Sequence, residues 1–405
     1  MGGQRRQVVV IGGSFAGRRA ARQLRPHFDV TIVDAKGFFE YTPAALRCMV
    51  HPEHATNVLL PQPEGTVVAT ATDITAPAGL GGKGHVTLSD GQQLSFDYCV
   101  VATGSSYSNP IKPDMTIPAS VATRTAQFKA ESQKLSAAER IVIVGGGTVG
   151  VELAAEIVGR WRNKVVTLVA SQRRLLERMP EGASKYAYKW LTARDVEVVL
   201  GERIEDWGEE GVNAEGRRVL VTSQARQLPA DLVYRCIGFR ACGDVVSSLL
   251  GADGLEGARS RVPVSRTLQV GSSGVIFAAG DCTNTTEEKN ALNADLGASC
   301  VVENILRLSR GRTDLLTFPE GVCHGSMASP DIACVSLYKY HASMQFNRLV
   351  INGRLPVLIK NMVEMFQMLV AKESWLGNLL WNMIEATNIL LGSFLFWGRD
   401  ICLQI

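Results

Sequence analysis

Gln7-Val8-Val9-Val10-Ile11-Gly12-Gly13-Ser14-Phe15-Ala16-Gly17, close to the start of the chain, decides the fold. An apolar strand runs into a glycine turn, and the turn opens a helix-patterned run from Phe15 to Leu24. A nucleotide pyrophosphate needs that order: a sharp strand-to-helix turn, bare backbone near its oxygens, and the positive end of a helix dipole. Gly12 and Gly17 stand at the first and third glycine positions, while Ser14 takes the second and adds a Cβ where backbone should approach closely. A second apolar strand, Val30 to Val33, ends at Asp34, the acid expected after such a turn to hold a ribose hydroxyl.

The pattern returns further along. Strand Ile141 to Val144 leads into Gly145-Gly146-Gly147-Thr148-Val149-Gly150, then a helix to Gly159 and a strand from Val165 to Val169. All three glycines, Gly145, Gly147 and Gly150, are present. The second strand ends Val169-Ala170-Ser171 without an acid to select the free ribose hydroxyl of NADH. Arg173 and Arg174 follow at once; they could meet the 2′-phosphate of NADPH or simply be solvated, and the sequence leaves both open. The expected donor is therefore NADH or NADPH.

Alternating strand and helix patterns imply a parallel, doubly wound sheet, and two such units imply two dinucleotide-binding domains. Short β-like runs lie between them, at Val67 to Thr70, His85 to Leu88 and Tyr98 to Val101. Thr103 and Gly104 follow the last of these in a turn that lets the chain pass close to a bound cofactor. Gly280-Asp281 ends the apolar strand Val275 to Ala278, where an Asp can accept hydrogen bonds from the ribityl hydroxyls of a flavin.

Composition narrows the class. The chain has 405 residues, 46% hydrophobic and 20% charged, which fits a globular protein of two or three domains. Its net charge of +3 gives no concentrated basic face for nucleic acid. The nine cysteines form no CxxC pair and no Cys/His group with zinc-like spacing, so a disulfide-exchanging site and a metal centre are both unexpected. Gly2 lacks the Ser or Thr of a myristoylation site, and Cys402-Leu403-Gln404-Ile405 is a poor prenylation box, so both ends read as ordinary.

With these motifs in place, the chain resembles the two-dinucleotide-fold flavoproteins of the pyridine nucleotide-disulfide oxidoreductase superfamily. Within it, the chain looks most like the apoptosis-inducing-factor-like, mitochondrion-associated flavoproteins that act as NAD(P)H:quinone reductases and ferroptosis suppressors. Type II NADH dehydrogenases come next. The resemblance spans roughly residues 7 to 375 and rests on Ala44-Ala45-Leu46-Arg47, Gly150-Val151-Glu152-Leu153-Ala154-Ala155-Glu156 and Gly280-Asp281-Cys282 followed by Lys289.

It implies FAD held by the first glycine turn (Gly12, Gly13, Ser14, Phe15, Ala16, Gly17), by Arg47 and by Asp281, with backbone at Val67 against the adenine. It also implies Lys289 near the isoalloxazine ring and Glu152 or Glu156 near the nicotinamide. The bland alternative for the two glutamates is solvent exposure on a helix. Ser14 departs from the glycine usual in these relatives, and the Ala-Gln pair of the type II enzymes is absent after Lys289.

The expected fold is α/β: two Rossmann-like dinucleotide-binding domains plus a C-terminal α+β cap. Residues 1–115 and 246–315 are expected to form the FAD-binding domain, 116–245 the inserted NAD(P)H-binding domain, and 316–405 the C-terminal domain. Leu376 to Trp397 is mostly apolar, with Asn378, Asn382, Glu385, Asn388 and Gly392 as one polar stripe. Such a helix fits a membrane interface, and burial against the core or at a homodimer seam is the competing reading. The expected activity is FAD-dependent transfer of hydride from NADH or NADPH, then of electrons to a quinone. The expected location is cytoplasmic or mitochondrial, peripheral to a membrane. A reductase of an iron–sulfur protein and a redox-sensing signalling flavoprotein with little turnover are the alternatives.

Overall fold

The computed structural model describes residues 5–397 apart from 79–81, 108–109, 210–211, 215, 252–253, 258 and 324; side chains at 385 and from 388 onward also fall outside the description. Gly2 and Cys402, the candidate lipidation positions, lie outside the described residues.

The first βαβ unit consists of β1 (Gln7–Ile11), α1 (Phe15–Leu24) and β2 (Asp29–Asp34), followed by β3 (Val67–Val68) and β4 (Tyr98–Val101). A long helix, α2 (Val121–Ala137), leads to the second unit: β5 (Arg140–Val144), α3 (Thr148–Arg160), β6 (Val165–Ala170), β7 (Glu197–Leu200) and β8 (Leu232–Arg235). The chain then returns to the first sheet through β9 (Ile276–Ala278) and α4 (Ala291–Ser309). Last come β10 (Ile332–Leu337), β11 (His341–Phe346), β12 (Leu349–Gly353), α5 (Leu355–Ala371) and α6 (Trp375–Trp397).

The first sheet is parallel, in the order β9-β4-β1-β2-β3. Both of its faces are covered, which is why its strands read as unbroken apolar runs. Val8, Val10, Ile32 and Val100 meet Ala20 and Leu24 of α1 and Ala298 and Ile305 of α4. Val9, Ile11, Val33 and Val101 meet Ile74, Val86, Leu88 and Phe96 of a small antiparallel sheet on the other face. The second sheet repeats the arrangement in the order β7-β6-β5-β8. The short antiparallel pair Ser105–Ser106 and Arg240–Ala241 joins the two linkers between the sheets.

The turns explain their glycines. Gly12 has φ +105°, and a Cβ there would stand 2.2 Å from the Ala102 carbonyl oxygen. A Cβ on Gly17 would stand 1.8 Å from the Gly12 carbonyl oxygen, so only glycine lets α1 start this close to β1. The C-terminal region is an antiparallel meander, β10-β11-β12, followed by the two helices, which is the α+β cap expected from the sequence. Among the described residues no helix is long and apolar enough to cross a membrane.

Candidate functional site

Both glycine turns open into one cavity of about 1690 Å³ at the carboxyl ends of the parallel strands. Small-ligand pockets hold roughly 300–1,000 Å³, so this one has room for two dinucleotides. Ligands in open α/β sheets sit at that edge because the strand-to-helix turns leave backbone N–H groups pointing outward there.

The half at the first glycine turn is built on Asp34. Its Oδ2 accepts the Gly13 N–H at 2.5 Å and the Gln62 Nε2–H at 3.2 Å, and its Oδ1 accepts the Lys36 N–H at 2.7 Å. The turn itself therefore holds the acid in place. Ser14, Phe15 and Ala16 form the wall beside it, and Gly13 and Gly17 shape the turn from behind. Further along, Thr103 Oγ1 donates to the Cys242 carbonyl at 2.5 Å, and Asp281 Oδ2 accepts from Ser105 Oγ at 2.8 Å. Gly104 and Gly280, at φ +71° and +83°, bend the chain around this end. Lys289 also lines the cavity; its ammonium donates to Thr283, Thr285 and Glu287 oxygens at 3.2, 2.7 and 3.0 Å.

The half at the second glycine turn is built on Gly145, Gly147 and Glu152, with Gly150 seating α3 behind the turn. At Gly147 nothing stands within 4 Å of where a Cβ would be, so this glycine faces open cavity where a phosphate would approach. Glu152 Oε1 accepts from the Ser336 N–H at 2.7 Å and from Lys360 Nζ at 2.6 Å. Lys360 Nζ also donates to Ser336 Oγ at 2.6 Å. Burial pulls Lys360 down, but Glu152, together with Cys334 and Glu156, more than offsets it and the net direction is up, so the ammonium stays charged.

Five of the expected site residues, Arg47, Val67, Glu156, Arg173 and Arg174, do not line the cavity. Arg47 does not reach the cavity: its Nε donates to Glu156 Oε1 and Oε2 at 2.7 and 2.8 Å, and its Nη2 to the Tyr338 carbonyl at 3.0 Å. Glu156, 3% exposed, is held by that guanidinium and does not line the cavity. Glu152 and Glu156 share α3, yet one turns toward Lys360 and the other toward Arg47. Val67 pairs with Val33 in the sheet, and the cavity wall there is Ala69 to Ala71. Arg174 caps its own loop through the Leu176, Glu177 and Met179 carbonyls, and the exposed Arg173 is also outside the cavity lining.

Sequence reading missed several residues that do line the cavity. Lys36 and Lys112 bring ammonium groups to the half at the first glycine turn, and burial, with Lys36 adding repulsion, pushes Lys112 down. At the far end of the half at the second glycine turn stand Ser171, Gln172 and Arg203. Backbone bonds from Gly201 N to Gln172 O and from Glu202 N to Ala170 O, at 3.0 and 3.2 Å, hold that segment beside the end of β6. Arg178 and Glu288, paired at 2.6 Å, join the two halves across the opening. None of these carries a local motif; Lys36, two residues after Asp34, is the one position a motif could have flagged.

The family description "Pyridine nucleotide-disulphide oxidoreductase" matches residues 6–297. The chain belongs to this family. It is an NAD(P)H-dependent flavin oxidoreductase whose cofactor is FAD. It is 29% identical over 339 residues to apoptosis-inducing factor homolog B of Dictyostelium discoideum, covering 78% of this chain and 84% of that one. It is 29% identical over 324 residues to ferroptosis suppressor protein 1 of Homo sapiens, covering 75% of this chain and 81% of that one. Among solved structures, the sulfide:quinone oxidoreductase of Aquifex aeolicus superposes with a TM-score of 0.70 at 18% identity, covering 91% of this chain and 92% of that one, a likeness of fold.

Proposed function

We propose that the chain carries electrons from NADH or NADPH, through FAD, to a quinone-type acceptor collected at a membrane surface. Helix α5 supports this reading best. Its inner face gives Ile359, Lys360 and Val363 to the cavity, while Leu355, Leu358, Met362 and Met365 on its outer face are 44–58% exposed. The spacing of the outer four is that of one helical stripe. One helix thus separates an apolar arm of the active cavity from an exposed apolar surface.

Helix α6 extends that surface with Trp375, Leu376, Leu379 and Met383, 43–76% exposed. The expectation that its asparagine stripe faces water holds only in part. Asn382 is exposed, but Asn378 Oδ1 accepts from Arg22 Nη1 at 2.5 Å, and Trp381 is buried. Glu385, Asn388 and Gly392 lie outside the described side chains. The two helices form a hairpin whose inner side docks on the protein and whose outer side is apolar, as interfacial helices are.

FAD, when bound, supplies the conversion of a hydride into electrons for the acceptor. The protein's own part is to place and charge. Asp34, Lys36 and Lys112 would hold its nucleotide half, and Asp281 with Ser105 its ribityl chain. The Glu152–Lys360 pair, neutral overall, would set an ammonium hydrogen-bond donor at the cavity wall. At the adenosine end of the nicotinamide cofactor, Arg203 takes over the role considered for Arg173 and Arg174.

Steady-state oxidation of NADH and NADPH by the yellow protein, with and without a short-tailed quinone, tests the reading. Quinone-dependent turnover is expected. Full flavin reduction without turnover on any quinone would point instead to a sensing role.

A further inference from the structure

Outside the cofactor cavity, a second cleft lies between α1 and the end of α5. It holds about 30 Å³ of free space, and Arg18, Arg19 and Arg22 of α1, with Arg25 just past its end, line it against only two carboxylates, Asp295 and Glu373. Their spacing puts Arg18, Arg22 and Arg25 on one face of the helix. Arg25 pairs with Glu373 at 3.0 Å, and Arg22 donates to Asn378.

Arg18 is the unusual member. Its guanidinium donates to the Ala371 carbonyl at 2.5 Å and to Gln62 Oε1 at 3.1 Å, and it lies 5.0 Å from the Phe39 ring centroid. Every one of these partners is neutral. Burial pulls its pKa down to about 10; Glu373 and, more weakly, Asp34 oppose this, and repulsion from Arg25 and Arg22 adds to it. A mostly buried cation with neutral partners and like-charged neighbours is held at a cost, and an anion seated in the cleft would remove it.

We infer that the cleft between α1 and α5 is an anion site that takes a phosphate group, from a lipid headgroup or from a soluble phosphate ester. The planar fork of arginine suits phosphate oxygens, and several forks on one helix face can share them. The cleft stands at the elbow of the C-terminal hairpin, next to exposed Trp375 and Leu376. A headgroup at that elbow would have its acyl chains beside the apolar stripe. The lipid source rests on the membrane reading above; the soluble source does not.

The test uses the full FAD-loaded chain. One arm measures thermal stabilisation by inorganic phosphate and by glycerol 3-phosphate against matched chloride. The other compares flotation on phosphatidylcholine vesicles with and without phosphatidylserine. The expected result is saturable stabilisation in the first arm, or a preference for the anionic vesicles in the second of about fivefold per engaged arginine. Arg18→Met should abolish whichever effect is seen. Glu373→Gln, which removes a competing carboxylate and keeps all four arginines, should strengthen it; this second variant stays informative if Arg18→Met folds poorly. Equal binding to both vesicle types together with no phosphate-specific stabilisation overturns the anion site and leaves the membrane reading standing. Loss of all vesicle binding with phosphate stabilisation retained assigns the site to a soluble ester and sinks the membrane reading instead.

Discussion

Arg47 and Glu156 are joined across the two halves of the molecule: one guanidinium nitrogen lies 2.7 and 2.8 Å from the two carboxylate oxygens. Arg47 comes from the short helix Ala45–Val50 that follows the first βαβ unit, and Glu156 from α3 of the second unit. With Glu156 only 3% exposed, the pair acts as a clamp between domains rather than as part of the active cavity.

Glu156→Gln should therefore act on stability. Breaking one partner of a buried pair costs about 3–5 kcal/mol, at the lower end here because the Arg47 side chain is 25% exposed. A fall in the melting temperature is expected, with KM for NADH nearly unchanged. An unchanged melting temperature with a raised KM would return Glu156 to the nicotinamide pocket.

Asp281 should govern flavin retention. Its Oδ2 already accepts from Ser105 Oγ, so the carboxylate is oriented before a ligand arrives. Asp281→Ala removes a hydrogen-bonding partner of the ligand, typically about 1–3 kcal/mol, or roughly five- to 150-fold in FAD affinity. Titration of apoprotein with FAD, followed by flavin fluorescence, reads this directly. Unaltered affinity would place the ribityl chain elsewhere.

What the chain shows locally is legible in its sequence. The two glycine turns, Asp34 and Gly280-Asp281 are set by neighbours a few residues away, because each demands a particular backbone bend or close approach. Arg47 and Glu156 misled because both sit in motif strings, while their partners come from 109 residues apart. Lys360 carries no motif and acquires meaning only where α5 meets Glu152. Arg174 follows the right strand, yet its carbonyl-capping turn lies within its own loop, and no composition rule separates that use from phosphate binding.

Cofactor choice follows from the same correction. Arg203→Ala should raise KM for NADPH by roughly fivefold, since its side chain is 72% exposed and such a contact is worth about 1 kcal/mol. KM for NADH should stay nearly constant, and 2′,5′-ADP should lose inhibition while 5′-AMP does not. Arg173→Ala should change neither cofactor. Arg174→Ala should lower stability by about 1–2 kcal/mol through its lost carbonyl bonds. A parallel rise in both KM values for Arg203→Ala would show that it does not read the 2′-phosphate.

The hairpin carries the last prediction. Leu358, Met362 and Leu379 are each 44–58% exposed, and transferring the exposed part of such a side chain into lipid gains on the order of 1 kcal/mol. Leu358→Asp with Leu379→Asp should therefore abolish flotation on neutral vesicles, because each change also adds a charge that resists burial. Neither residue lines the cofactor cavity, so FAD content and reduction of a short-tailed soluble quinone should be preserved. Reduction of a long-tailed quinone held in vesicles should fall with the flotation. If the variant still floats while remaining folded and yellow, the outer stripe of α5 and α6 is not the membrane face. If it floats less but reduces vesicle-held quinone at the original rate, the acceptor does not enter past α5.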